Sequence, residues 1–526
     1  MKNNFYIPSG RKELFILALI TAIAVCLRLF KLTGYGFQYE EIYSFVFPDL
    51  FRYSLNFSSA QPTYLYNFFM HYLQAWTSNE WVLRMPSVLW GAASVPCVYL
   101  LGKKVSGDGL SGLFAAFLLA VSPFHVYFSQ ELRMYPLVAF LGVVSAYFFI
   151  SSFDRRSVAA WCAVVFCNTL NCYLSYTAIL LVGAQLVCAV IYRKKFRERK
   201  KEILWVLFWQ GILLIPWMYI FYRQFLFMLE LTKSDRRVCP FLDTVGVNNL
   251  WYTIKNFSSG FCLPGVLRLI MGVVMSALCL RYIRILYAVS REKLGTVIIF
   301  ILFPLFFLLC FSQFRPLYCD KYVITGALFF YVLAGCSLRR LSVRPRIFLM
   351  VLIFCVWAGS LACYYTNSFF SSYRERIGIT PRKEFYKAGE YLKKFYRPGD
   401  VIIQTCTAST LPIAYYMSDG KNEEFLKRKD LILFQRDISH MEKQGFRMII
   451  YDPERREFSL YKATDSFLSR FADPGLARFQ RVWVVYSYWE YPQVIEGVRD
   501  RFNGLCRLEE KHEFKGLDLY VYNSCI

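Results

Sequence analysis

Histidine is scarce in this 526-residue chain. Only four occur, at positions 71, 125, 440 and 512, and their scatter argues against a His-built metal site. No Cys-x-x-Cys pair occurs among the 17 cysteines, which argues against zinc and thioredoxin chemistry. Most of those cysteines lie in apolar runs, where Cys packs as a small hydrophobe. Cys239 with Cys262, and Cys506 with Cys525, are the pairs placed to bridge, but free thiols are the expected state. Gly-rich phosphate loops, internal repeats, low-complexity tracts and Gly/Ser linkers are all absent. Charged residues are also few, at 19% against the usual ~25%.

What fills the chain instead is apolar. Hydrophobic residues make up 56% and aromatic residues 19%, with a mean hydropathy of +0.35. Disorder is excluded, because it needs low hydrophobicity and few aromatics. Crossing a bilayer takes about 20 residues with few or no charges. Eleven runs meet that pattern, near 13–33, 84–102, 110–127, 132–152, 158–172, 174–192, 202–222, 264–286, 295–311, 320–338 and 346–366. No small-residue cleavage pattern follows the first, so it reads as an anchor rather than a cleaved signal. The expected fold is a polytopic α-helical membrane protein of about 11 spans over 1–366.

Lys and Arg number 61 against 37 Asp and Glu, a net charge of +24. In a soluble protein that excess suggests nucleic acid. Here the cations collect in alternate loops, at 2–12, 103–104, 155–156, 193–201, 281–293 and 339–346. Cytoplasmic loops gather Lys and Arg, so the N-terminus is expected inside and the segment after 366 outside. The charge is then a topology signal, and no nucleic-acid partner is expected. On the outer side lie a long aromatic-rich loop, 34–80, and the tail, 367–526. The tail mixes helical stretches (382–396, 491–502) with β-branched runs at 401–403, 448–450 and 482–485, after a Pro-Gly-Asp turn at 398–400. It reads as an extracytoplasmic α/β domain.

Polar groups at membrane boundaries are costly unless paired or functional, and three groups fall on the expected outer side. Glu40 and Glu41 follow the first span. Acids at a helix start explain them blandly, and a general base toward an acceptor explains them sharply. In the turn between the third and fourth spans, Glu131 and Arg133 stand beside Tyr127 and Tyr135. Between the ninth and tenth spans, Arg315 and Lys321 are cations where cations are scarce, suited to a phosphate or to snorkelling. Arg84, opening the second span, is a similar case. Together, a carboxylate and surface cations suit displacement of a lipid-linked phosphate.

The stretch from 34 to 152 resembles membrane glycosyltransferases of the GT-C superfamily. The similar group is glycosyltransferase family 39, related to protein mannosyltransferases and to the lipid A aminoarabinose transferase. YEEIYS (39–44) matches the family's acidic pair. The block 61–105 matches its Pro-Tyr helix and Glu-Trp-x-x-Arg-x-Pro turn, and SPFHVYFSQELRMYPL (122–137) matches its third–fourth span hairpin. RPLYCDKY (315–322) is a weaker match. The resemblance implies transfer of one sugar from a polyprenyl-phosphate donor to a glycan, lipid or protein acceptor on the outer face, with inversion. Its catalytic acid falls on Glu40, beside Glu41. Its substrate-binding set falls on Gln61, Tyr64, Arg84, Glu131, Arg133, Tyr135, Arg315, Lys321 and Tyr322. Glu40 stands where Asp is usual, Gln61 where His or Lys precedes Pro62, and Lys321 where Arg is usual, without the bidentate fork.

No cofactor is expected. An acidic pair can hold a divalent ion, but the resemblance does not demand one. Two rival readings come from other classes. A transporter would place its charges near the bilayer midplane, and an envelope-assembly protein would use the tail as a binding module. The clustering of candidate groups at one surface favours the enzyme.

Overall fold

The computed structural model describes residues 10–44, 64–152, 154, 157–197, 200–234, 245–286, 291–314, 318–372, 374–377, 379–397, 399–404, 407–417, 431–433, 447–452, 457–462, 480–487, 499–500 and 502–523. Two compact units emerge. One comprises 1–32, 48–73 and 81–379, and the other 33–47, 74–80 and 380–526.

The first unit is helical. Its elements are α1 (Gly10–Leu29), α3 (Tyr64–Trp76), α4 (Glu80–Ser106), α5 (Gly109–Val121), α6 (Pro123–Ser129), α7 (Tyr135–Ser151), α8 (Val158–Leu174) and α9 (Ile179–Ile191). They continue with α10 (Lys200–Ser234), α11 (Asn248–Ser259), α12 (Gly265–Leu286), α13 (Arg291–Phe311), α14 (Ile324–Arg339) and α15 (Val343–Tyr365). All eleven apolar runs form helices. Among the described residues, six helices are long and apolar enough to cross a membrane unaided, and seven if the pair α5–α6, bent by 59°, counts as one span. The rest of the expected eleven are shorter apolar helices, or in the case of α1 a more charged one. Helices α7 and α8 have 17 residues each and α9 has 13, at or below the lower limit of about 17 for a span. Helix α1 carries Arg11, Lys12, Glu13 and Arg28 within its 20 residues.

Local chemistry sets the breaks. Asp108 caps α5 by accepting the Ser111 N–H at 3.2 Å, and Ser122 caps α6 by accepting the His125 N–H at 3.2 Å. Pro123 follows at the first helical position, where its missing N–H costs nothing. Helix α14 is the most buried of the six long apolar helices and α10 the least. Small residues let its neighbours come close. A Cβ on Gly335 of α14 would lie 2.4 Å from the Ala115 nitrogen of α5.

The second unit is α/β. Among the described residues it holds α2 (Tyr39–Tyr43), α16 (Phe385–Phe395), α17 (Thr407–Met417) and seven strands: β1 (Val401–Gln404), β2 (Leu431–Leu433), β3 (Arg447–Asp452), β4 (Glu457–Lys462), β5 (Val482–Ser487), β6 (Arg507–Phe514) and β7 (Leu517–Asn523). Five form one sheet in the order β2-β1-β5-β7-β6, and β3–β4 is a separate hairpin. The β1–β2 and β1–β5 pairs are parallel, and β5–β7 and β6–β7 antiparallel. Phe385, Leu392, Ile402, Ile413, Trp483 and Leu519 form its core. Of the expected 398–400 turn, Gly399 (φ +95°) and Asp400 lead into β1, and Pro398 lies outside the described residues. Asp400 there accepts from Trp483 Nε1 at 2.9 Å and pairs with Arg481 at 2.7 Å. Most of the helical stretch expected at 491–502 lies outside the described residues. Cys262 is a free thiol, so it makes no bridge to Cys239. Cys506 is disulfide-bonded, which corrects the expectation of a free thiol; its partner lies outside the described residues.

Candidate active site

Within the first unit, four of the nominated residues come together. The loop before α7 presents Arg133, and a 3-10 turn before α14, Asp320–Val323, presents Lys321 and Tyr322. The Arg133 guanidinium lies 5.6 Å from the centroid of the Tyr135 ring. The Lys321 ammonium lies 5.8 Å from the same ring and 5.9 Å from that of Tyr322. Tyr135 opens α7, and Lys321 lies in the 3-10 turn that leads into α14, so both cations stand near the positive ends of helix dipoles. Two cations gathered at such ends make a place where an anion is stabilised.

The loop carrying Arg133 is pinned from several sides. Gln130 Nε2 donates to the carbonyls of Arg28 at 2.9 Å and Phe30 at 2.8 Å, and its Oε1 accepts from the Tyr364 hydroxyl at 2.8 Å. The buried Ser87 hydroxyl donates to the Arg133 carbonyl at 3.1 Å. Beneath it, Arg28 is fully buried. It donates to the carbonyls of Ala24 (2.9 Å), Ala120 (3.0 Å) and Leu119 (3.3 Å) and to His125 Nδ1 at 2.9 Å. A buried cation must be met by hydrogen bonds in this way to avoid a large desolvation cost.

The turn carrying Lys321 is held by a second buried network. Asp320 takes the Thr253 hydroxyl at 2.5 Å on one oxygen and Asn256 Nδ2 at 2.5 Å on the other. Arg268 donates to Asn256 Oδ1 and pairs with Glu375 at 2.6 Å, and Lys255 pairs with Glu375 at 2.5 Å. The network thus ties together α11, α12, the turn and the segment after α15. Sequence reasoning missed these residues and the Arg28–Gln130 set. Arg28, a cation inside an apolar run, was a signal that could have found it. The partners of Asp320 gave none.

Other nominated residues of this unit stand as follows. Arg84 is fully buried and donates to the Leu32 carbonyl at 2.8 Å, so it closes the turn after α1. Glu131 is half-buried, and its carbonyl accepts the Arg133 N–H at 2.8 Å. Tyr64 opens α3. Gln61, Arg315 and the side chain of Tyr64 lie outside the described residues.

Glu40 and Glu41 belong to the second unit, in α2, and the structure separates their roles. Glu41 is buried, and its Oε2 accepts the Gln38 N–H at 2.9 Å. Gln38 in turn exchanges two hydrogen bonds, 3.0 Å each, with the backbone of Lys383. Glu40, one residue away, is exposed. Of the pair, Glu41 does cap work and Glu40 is the exposed one. Among the described residues, no group of three or more His, Cys, Asp or Glu is gathered for a metal ion.

The fold is that of a multi-pass membrane protein of GT-C type with a small C-terminal sheet domain. Residues 62–220, under a third of the chain, match the model of the dolichyl-phosphate-mannose-protein mannosyltransferase family. The structure is similar to that of ArnT from Cupriavidus metallidurans in the apo state, with a TM-score of 0.58 at 12% identity over 96% of this chain and 97% of that one. The same protein bound to undecaprenyl phosphate matches with a TM-score of 0.56 at 12% identity, over the same shares of each chain. No curated protein matches the chain by sequence.

Proposed function

We propose that this protein is an integral-membrane glycosyltransferase that moves a single sugar from a polyprenyl-phosphate donor to a glycan, lipid or protein acceptor. The observation that carries the reading is the pair of cations, Arg133 and Lys321, gathered at one tyrosine by helix ends and buried networks. A lipid-linked phosphate is the anion such a membrane-borne group is suited to meet. The family match over 62–220, and the undecaprenyl phosphate bound to ArnT, support the same donor class.

In this reading Glu40 takes the proton from the acceptor hydroxyl. The acceptor oxygen attacks the anomeric carbon opposite the phosphate. The bond between that carbon and the phosphate oxygen breaks, and the polyprenyl phosphate leaves with the electron pair. Arg133 and Lys321 stabilise the charge growing on it. One displacement inverts the anomeric centre. The basic loops face the cytoplasm of the plasma membrane, and transfer occurs on the other side. The test is incubation of the purified protein in liposomes with undecaprenyl-phosphate-linked hexose and pentose donors and a cell-envelope glycan extract. Release of undecaprenyl phosphate with a one-sugar mass increment on the extract supports the proposal. Intact donor under every pairing contradicts it.

A further inference from the structure

The second unit contains a cleft of about 400 Å³ that none of the nominated residues lines. That volume falls within the range of about 300–1,000 Å³ typical of small-molecule sites. Its walls are Glu390, Lys393 and Lys394 from α16, Tyr415 and Tyr416 from α17, and Glu80. Glu390 stands three and four residues before the two lysines, so all three project from one side of α16.

The aromatic wall is built to one geometry. The Tyr416 hydroxyl accepts the Phe37 N–H at 2.6 Å and donates to Glu80 Oε1 at 2.5 Å. The ring of Tyr415 meets that of Phe37 edge-on at 5.8 Å. Two glycines make room for Tyr416. A Cβ on Gly389 would fall 2.6 Å from Tyr416 Cβ, and one on Gly36 would fall 2.7 Å from the Tyr416 hydroxyl. Gly36 also adopts φ +65°, where a side chain is strained.

Two carboxylates and two ammonium groups leave the cleft without net charge, and a phosphate placed there would face both acids. Tyrosine beside alternating charged donors and acceptors suits a ligand with an apolar C–H face and a rim of hydroxyls. We infer that this cleft binds a neutral, hydroxyl-rich saccharide. Naming that saccharide as the sugar end of the acceptor rests on the transferase reading; the binding itself does not.

The test is saturation-transfer NMR on the full chain in nanodiscs free of glycoside detergent, with methyl α-mannopyranoside and methyl β-galactopyranoside as probes. Saturation of at least one glycoside is expected. The double variant Glu390→Gln with Lys394→Ala, both on the exposed side of α16, should weaken it about tenfold, the loss of one charged hydrogen bond. No saturation of either glycoside, or equal saturation in the double variant, overturns the site. A second readout separates this inference from the transferase reading. If the wild type binds a glycoside at the cleft but transfers no sugar, the cleft stands and the transferase reading fails. If it transfers sugar and the double variant keeps the acceptor KM, the cleft's acceptor role falls alone.

Discussion

The Lys321 ammonium lies 5.8 Å from the centre of the Tyr135 ring, although the two residues come from distant stretches of the same helical unit. Nothing local in sequence brings them together; the packing of α7 against α14 and the buried Asp320 anchor do. In the proposed reaction Lys321 meets the donor phosphate directly. Lys321→Ala should weaken donor binding by about 1.5–3 kcal/mol, the value of a charged hydrogen bond, while Lys321→Arg should keep most of it. Donor KM in the transfer assay measures both. An unaltered KM for Lys321→Ala would remove this residue from the site.

Asp320 acts one step further back. Its carboxylate meets Thr253 and Asn256 and touches no candidate ligand position. Asp320→Ala should lower stability by about 1.5–3 kcal/mol for each bond lost and raise donor KM by releasing the turn that carries Lys321. Thermal unfolding and KM measured on the same preparation check this. A loss of stability with unchanged KM would make the network purely structural.

The adjacent acids should separate cleanly. Glu41→Ala removes the acceptor of the Gln38 N–H and should cost about 0.5–2 kcal/mol, as lost helix caps do. An exposed substitution such as Glu40→Gln should stay within about 0.5 kcal/mol of wild type. Chemical denaturation of the two variants decides it, and equal stabilities would contradict the assignment of Glu41 as the cap.

A pH dependence is expected at the basic loops. Burial by itself raises the Asp154 carboxyl, but the ammonium groups of Lys293 and Lys104, at 2.8 and 3.0 Å, outweigh it and hold the group below its ordinary value. A depressed folded-state value means that this contribution to stability is complete above the unfolded value of about 3.9. It is lost as pH falls through the folded one. Unfolding temperature should therefore be insensitive to Asp154→Asn in its slope between pH 5 and pH 8. The wild type alone should show the added decline below about pH 4. Parallel slopes down to pH 3 would contradict the pairing.

Much of this architecture is readable from residue order, and the reasons differ by element. The eleven apolar runs are legible because hydrocarbon tolerates so few charges. Whether a 17-residue run such as α7 crosses alone is not, because length sits at the limit and neighbours decide. Lys321 stood out as a cation where cations are rare, and Arg133 as one of a charged pair in a short turn between tyrosines. Asp320 did not, because Thr253, Asn256, Arg268 and Glu375 each look like ordinary boundary residues until the fold assembles them. Glu40 and Glu41 are equivalent as letters; only the backbone turn at Gln38 tells the cap from the exposed carboxylate.

The central claim is that a single exposed carboxylate activates the acceptor, and turnover of Glu40→Gln tests it most directly. Substituting the amide keeps the size and removes the base, which typically supplies about 10²–10⁴-fold in rate. The account predicts that the purified variant, with wild-type unfolding temperature and donor KM, loses sugar transfer by at least that lower factor. Wild-type kcat in the same preparation would contradict it.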